Sequence, residues 1–69
     1  MIISYKKLWK LLIDRDMKKK DLIAKSGISQ SSVTKLGHNE IVSTDIIVKI
    51  CTALECDLTD IMELVPEEK

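Results

Sequence analysis

The sequence contains no phenylalanine, and its aromatic residues are one tryptophan and one tyrosine. Proteins that grip single-stranded nucleic acid normally need several aromatic side chains along a basic groove, so that kind of surface is the less supported reading. Trp9 and Tyr5 read instead as core or interface anchors. Histidine is as scarce, His38 being the only one. No pair of carboxylates shares an apolar face, and the cluster of Ser29, Ser31 and Ser32 has no base placed to activate a hydroxyl. An enzyme is the least supported class. The two cysteines, Cys51 and Cys56, lie five positions apart, which is neither a CxxC redox motif nor half of a zinc site. They read as ordinary reduced thiols, with Cys51 in the core, and no metal or cofactor is expected. No apolar run approaches the roughly 20 residues that cross a bilayer, and the opening MIIS lacks the basic start and long apolar stretch of a secretory signal. The expected setting is cytoplasmic, away from membranes.

Net charge is also missing, since 11 lysines and arginines balance 11 aspartates and glutamates. The balance conceals a polarity. Residues 1–38 carry nine basic side chains against three acidic ones, a net +6, and residues 39–69 carry two against eight, a net −6. A cationic first half suits a polyanionic partner; the plainer reading is lysines on a solvated surface. With 69 residues and 45% hydrophobic side chains, the chain is a globular class that builds one compact core. Residues 1–69 are expected to form a single domain, with no linker or internal repeat.

Apolar spacing predicts five short helices. Tyr5, Leu8, Trp9 and Leu12 recur at helical intervals between Lys6, Lys7 and Lys10, giving an amphipathic helix from Ser4, its cap, to about Asp14. A second helix runs from about Lys18 to Ser26 on Leu22, Ile23 and Ala24, and Gly27 ends it by taking the left-handed backbone common at helix ends. Ser29 caps a third helix by accepting from the amides of Ser31 or Ser32; Ile28, Val33 and Leu36 form its buried side, and Gly37 and Asn39 close it. Ser43 caps a fourth, with Asp45 in its first turn and Ile47, Ile50, Cys51 and Leu54 as its core stripe. Asp57 caps a fifth, whose stripe is Leu58, Ile61, Met62 and Val65, ended by Pro66. The only segment with any strand character is Met1 to Ile3.

The second and third helices, joined by the turn Gly27, Ile28, Ser29, have the form of a helix-turn-helix, whose second helix enters the major groove of DNA. With Val33 and Leu36 inward, the outward positions of the third helix are Gln30, Ser31, Thr34 and Lys35, with Ser32 at the margin. These are groups that read base edges. A glutamine amide donates to adenine N7 and accepts from N6, a bidentate match worth about 1–3 kcal/mol of discrimination; serine serves as donor or acceptor, and the threonine methyl meets a thymine methyl. Gln30 is the first candidate for base reading, and Lys35 reaches either a guanine or a phosphate. Lys18, Lys19 and Lys20 crowd the positive end of the second helix, where each cation is disfavoured by about 0.3–1 kcal/mol. A phosphate bound there would compensate; the alternative is a solvated lysine face. Ser29, Ser32, Lys25, His38 and Asn39 are further candidates for backbone contact.

The run KKKDLIAKSGISQSSVTKL followed by STDIIVKICTALECDLTDI resembles the Cro/repressor-like helix-turn-helix family, the xenobiotic-response-element type, and in particular its short stand-alone bacterial members. The likeness covers Tyr5 to Leu64. Its anchors are Leu22, Gly27, Ile28, Ser29, Val33 and Leu36, followed by an LxxD-like helix around Leu58 to Ile61. The resemblance implies an all-α, five-helix, lambda-repressor-like domain whose third helix reads bases and in which Lys19, first in the second helix, touches the DNA backbone. It also marks departures. Leu12 and Gly37 stand where the family commonly pairs an arginine with a glutamate, so an apolar contact is expected to replace that ion pair. Ile23 stands where a small alanine is usual, and Glu40 occupies a loop position that is often basic.

The resulting expectation is a sequence-specific regulator that binds double-stranded DNA. One short helix reads few base pairs, so a homodimer on half-sites about 34 Å apart is expected. Its interface would lie on the last helix, at Leu58, Ile61, Met62, Leu64 and Val65. No small-molecule effector is expected. The competing class is a protein-binding module, of antitoxin or anti-repressor kind, that uses the same fold; overall neutrality favours it slightly, and a weak salt response would distinguish it.

Overall fold

The computed structural model describes residues 1–67. Strand β1 (Ile2–Ser4) leads into helices α1 (Lys6–Asp14), α2 (Lys19–Ser26), α3 (Gln30–Gly37) and α4 (Thr44–Leu54), followed by a 3-10 turn over Leu58–Asp60 and strand β2 (Glu63–Val65). The core is one cluster of Tyr5, Leu8 and Leu12 from the first segment, Leu22, Ile28, Val33 and Leu36 from the next two helices, Ile47, Ile50 and Leu54 from α4, and Ile61. The helical stripes expected for the first four helices thus supply most of the buried surface. Trp9, Ile23 and Cys51 are only half-buried, and Ala24 is exposed.

Four α-helices, not five, occur among the described residues. The expected fifth helix is replaced by the 3-10 turn and β2, which pairs antiparallel with β1 in the register Ile2↔Val65, Ile3↔Leu64 and Ser4↔Glu63. Competing local forces explain this. Fewer than ten residues separate Asp57 from Pro66, too few for a helix that is not strongly supported by packing, and a residue preceding proline, here Val65, is driven to extended backbone. Ile2 and Ile3 offer a β-branched partner strand. Asp57 still caps, accepting the Leu58 N–H at 2.7 Å, while Asp60 accepts the Asp57 N–H at 2.9 Å.

The same pairing shifts the start of α1. Ser4 is held in β1, so the helix begins at Lys6, and the Ser4 hydroxyl accepts only a long 3.4 Å bond from the Lys6 N–H. The Tyr5 N–H is satisfied from across the chain by Asn39 Oδ1 at 3.0 Å. Two helix ends follow the expected chemistry closely. Gly27 takes φ +77° after α2, and its N–H returns to the Ile23 carbonyl at 2.9 Å. At the end of α4, Glu55 is left-handed (φ 51°), the Cys56 N–H reaches the Cys51 carbonyl at 3.0 Å and the Glu55 N–H reaches Thr52 at 3.4 Å. That is a Schellman closure, and it sets Cys51 and Cys56, both free thiols, side by side. Ser43 precedes α4, but its hydroxyl makes no capping bond.

Candidate nucleic-acid interface

Helix α3 is held at its start and along its inner face. Ser29 Oγ accepts the Ser32 N–H at 3.2 Å and lies 2.9 Å from Ser31 Oγ and 3.0 Å from Ser32 Oγ. Inward, Val33 and Leu36 are buried at 2% and 0% exposure. That anchoring fixes the rotation of the helix, so Gln30, Ser31, Thr34 and Lys35 are all exposed and Ser32 is half-buried. Thr34 Oγ1 donates to the Gln30 carbonyl at 3.1 Å. Its hydrogen is thereby occupied within the helix.

Helix α2 opens with Lys18 at the cap position and Lys19 first in the helix, and the three lysines Lys18, Lys19 and Lys20 are exposed. Lysine carries no acceptor for the free amides of the first turn. The Asp21 carboxylate provides the reciprocal half of a capping box by accepting the Lys18 N–H at 2.9 Å, and its charge offsets part of the lysines' repulsion from the helix end. Lys19 has a further partner, its ammonium lying 5.0 Å from the centre of the Trp9 ring. This contact between α1 and α2 has no signature in sequence spacing.

The two helices meet at one surface depression of about 280 Å³, lined by Lys19 from α2 and by Gln30, Val33, Thr34, Gly37 and His38 from α3 and its end. The candidate base-reading residues Gln30 and Thr34 therefore adjoin a candidate backbone-contact lysine and His38. Ser31, Lys35 and Lys25 lie outside that depression. Asn39 is turned to another use: with φ +55° and Oδ1 bonded to the Tyr5 N–H, it ties the loop after α3 to the start of α1.

The family profile described as a Cro/C1-type helix-turn-helix DNA-binding domain matches residues 7–67. The chain belongs to the Cro/C1-type family. Among solved structures, it is similar to a crystal structure of the transcriptional regulator VanUg, with 55% sequence identity, a TM-score of 0.90, and coverage of 96% of this chain and 88% of that one. No curated protein sequence matches. The match spans α2, α3 and the short turn between them, so the surface described above belongs to a DNA-binding fold.

In this Cro/C1-type domain the substitution of Leu12 and Gly37 for an ion pair has a different outcome from the apolar contact expected. Leu12 is buried, but Gly37 has no side chain to meet it, and a Cβ built on Gly37 would find nothing within 4 Å. Both residues line an open hollow beside Lys18 and Lys19. Ile61, expected at a dimer surface, is fully buried in the chain's own core, whereas Leu58 and Leu64 are 47% and 63% exposed and Met62 and Val65 are half-buried. The described residues include no group of three or more side chains able to hold a metal ion. No helix among them is long and apolar enough to cross a membrane.

Proposed function

We propose that this chain is a sequence-specific transcriptional regulator of double-stranded DNA that lays α3 in the major groove as part of a homodimer. Gln30, Ser31, Thr34 and Lys35 face base edges, with Gln30 matched to adenine and the Thr34 methyl to thymine. Lys18, Lys19 and Lys20 meet phosphates on one side, and Ser29, Ser32, His38 and the nitrogen side of the Asn39 amide border the groove. The observation that carries the reading is the depression shared by Lys19, Gln30, Thr34 and His38. One surface thus combines a phosphate-seeking cation with hydrogen-bonding groups suited to bases, the pairing of positioning and specifying contacts that sequence-specific binding needs.

Dimerisation follows from size. The eight residues of α3 extend about 12 Å at 1.5 Å per residue, enough to address only a few base pairs. Two copies reading half-sites about one helical turn apart double that information. Ile61 is committed to the core, so the surface left for a second copy is the exposed part of the terminal segment, Leu58 and Leu64 with the margins of Met62 and Val65.

Selection of bound duplexes from a random pool, followed by affinity measurements across a salt series, tests the proposal. The expected result is an enriched two-fold-symmetric site whose affinity falls steeply with salt as counterions are released. A chain that binds no duplex even at low salt would instead be a protein-binding module on the same fold.

A further inference from the structure

The hollow beside Leu12 and Gly37 is an open concavity with apolar walls and two lysines along one side. It measures about 380 Å³, within the roughly 300–1,000 Å³ range of small-molecule pockets. Its apolar walls are Trp9, Leu12, Ile13 and Met17, and its polar side is Lys18 and Lys19, with no acidic residue in the lining. Ile13 is 76% exposed although it borders an apolar recess, so a ligand there would cover surface that the chain leaves in water. Lys19, poised 5.0 Å over the Trp9 ring, puts a cation at the aromatic wall. The Asp21 carboxylate is occupied by the Lys18 N–H at 2.9 Å. The ion pairs among the described residues are Lys7 with Glu63 and Lys49 with Asp45, so the Lys18 and Lys19 ammonium groups remain available to an anion.

The geometry points to a binding site for a small aromatic carboxylate, its ring against Trp9, Leu12, Ile13 and Met17 and its carboxylate held by Lys18 and Lys19. The hollow shares Lys19 and Gly37 with the depression that contains Gln30 and Thr34. A bound carboxylate withdraws Lys18 and Lys19 from DNA phosphates, so occupancy weakens duplex binding. This regulatory half rests on the DNA reading above; the ligand site itself does not. It also departs from the sequence-based expectation of no effector, because an open space between Leu12 and Gly37 is invisible without coordinates.

Trp9 is the only tryptophan in the chain, so its fluorescence reports the site directly. Naphthoate is the probe, and naphthalene methanol its neutral control. The site predicts saturable quenching by naphthoate with a dissociation constant on the order of 0.1–1 mM for a ligand of this size. The Lys18→Gln variant should bind naphthoate roughly tenfold more weakly, the loss of one charge-assisted contact, and the alcohol should bind the parent chain more weakly still, having lost both. Ile13→Glu, a change at an exposed position, should repel the acid while leaving the fold intact by circular dichroism. Absence of saturation, or equal binding of acid and alcohol, overturns the site. In the second arm, saturating naphthoate should weaken duplex binding by about fivefold or more in the parent chain and not in Ile13→Glu; unchanged duplex affinity overturns the regulatory half. A chain that binds no duplex sinks the DNA reading, while the Trp9 titration still decides the ligand site.

Discussion

The Arg15 guanidinium, just past the end of α1, donates a hydrogen bond to the backbone carbonyl of Leu54, the last residue of α4. It joins two helices far apart in sequence and places a positive charge at the negative end of α4, where an unpaired carbonyl and the helix dipole both favour it. Removing the group with Arg15→Ala should lower stability by about 1–2 kcal/mol. In a domain of this size that is a drop of roughly 4–16 °C in melting temperature, measurable by thermal denaturation. Arg15→Lys should recover part of the loss, because it keeps the charge but not the planar fork. An unchanged melting temperature in Arg15→Ala would show that the contact contributes nothing.

The two glycines should respond to alanine with opposite signs. Neither site has any atom within 4 Å of an added Cβ, so only the backbone decides. Gly27 sits at φ +77°, a conformation that disfavours any L side chain by roughly 1–2 kcal/mol, and Gly27→Ala should destabilise by about 1 kcal/mol. Gly37 is a helical residue without positive φ. Gly37→Ala should stabilise by about 0.4–1 kcal/mol through the less disordered unfolded chain. Urea denaturation of both variants checks the pair, and two changes of the same sign would contradict the assignment.

For DNA, the division between specifying and positioning contacts predicts unequal consequences. Gln30→Ala should relax preference at one or two base pairs, a loss of about 1–3 kcal/mol of discrimination that a panel of single-base operator variants would reveal. Lys19→Ala should weaken all duplexes alike and reduce the steepness of the salt dependence by about one counterion. Because Lys19 also covers Trp9, its melting temperature has to be measured beside its affinity, so that a folding defect is not mistaken for a lost phosphate contact. Identical binding profiles for the two variants would remove the distinction.

What could be read from the sequence, and what could not, divides by distance along the chain. The α3 cap at Ser29, the buried pair Val33 and Leu36 and the left-handed stop at Gly27 are set by neighbours within a turn or two, so spacing and residue type were enough to place them. The outward position of Gln30 and Thr34 follows from the same spacing. The segment Leu58 to Val65 carries a helical spacing of apolar residues, and what overrides it is pairing with β1 at the other end of the chain. No local signal carries that information. Asn39 was legible as a loop residue but not as the acceptor for Tyr5, and the meeting of Lys19 with Trp9 depends on how α1 packs on α2. The hollow beside Gly37 is likewise a product of packing, where a missing side chain became space rather than contact.

Three buried or half-buried acids predict an alkaline limit to stability. Burial raises the Tyr5 phenol above its ordinary value against a weaker, lowering interaction with the Val42 backbone, which does not reach the geometry of a full hydrogen bond to the hydroxyl. Burial also raises the Cys51 thiol, with Asp57 and Asp60 adding to the shift against a bond from Cys56. Burial, then the neighbouring Cys51, takes Cys56 from its ordinary 9.0 to about 11. In each case the folded chain holds its proton more tightly than the unfolded chain does, so stability is fully present below pH 9 and is lost as pH rises through the folded values. Denaturation midpoints should therefore be flat from neutral to about pH 9 and fall toward pH 11, with Cys56→Ala showing a shallower decline. Tyr5→Phe should both lessen the decline and raise stability at neutral pH by about 1 kcal/mol, because it deletes a buried hydroxyl whose Val42 backbone contact falls short of a full hydrogen bond. A Tyr5→Phe chain less stable than the parent would mean that the hydroxyl has a partner in solution after all.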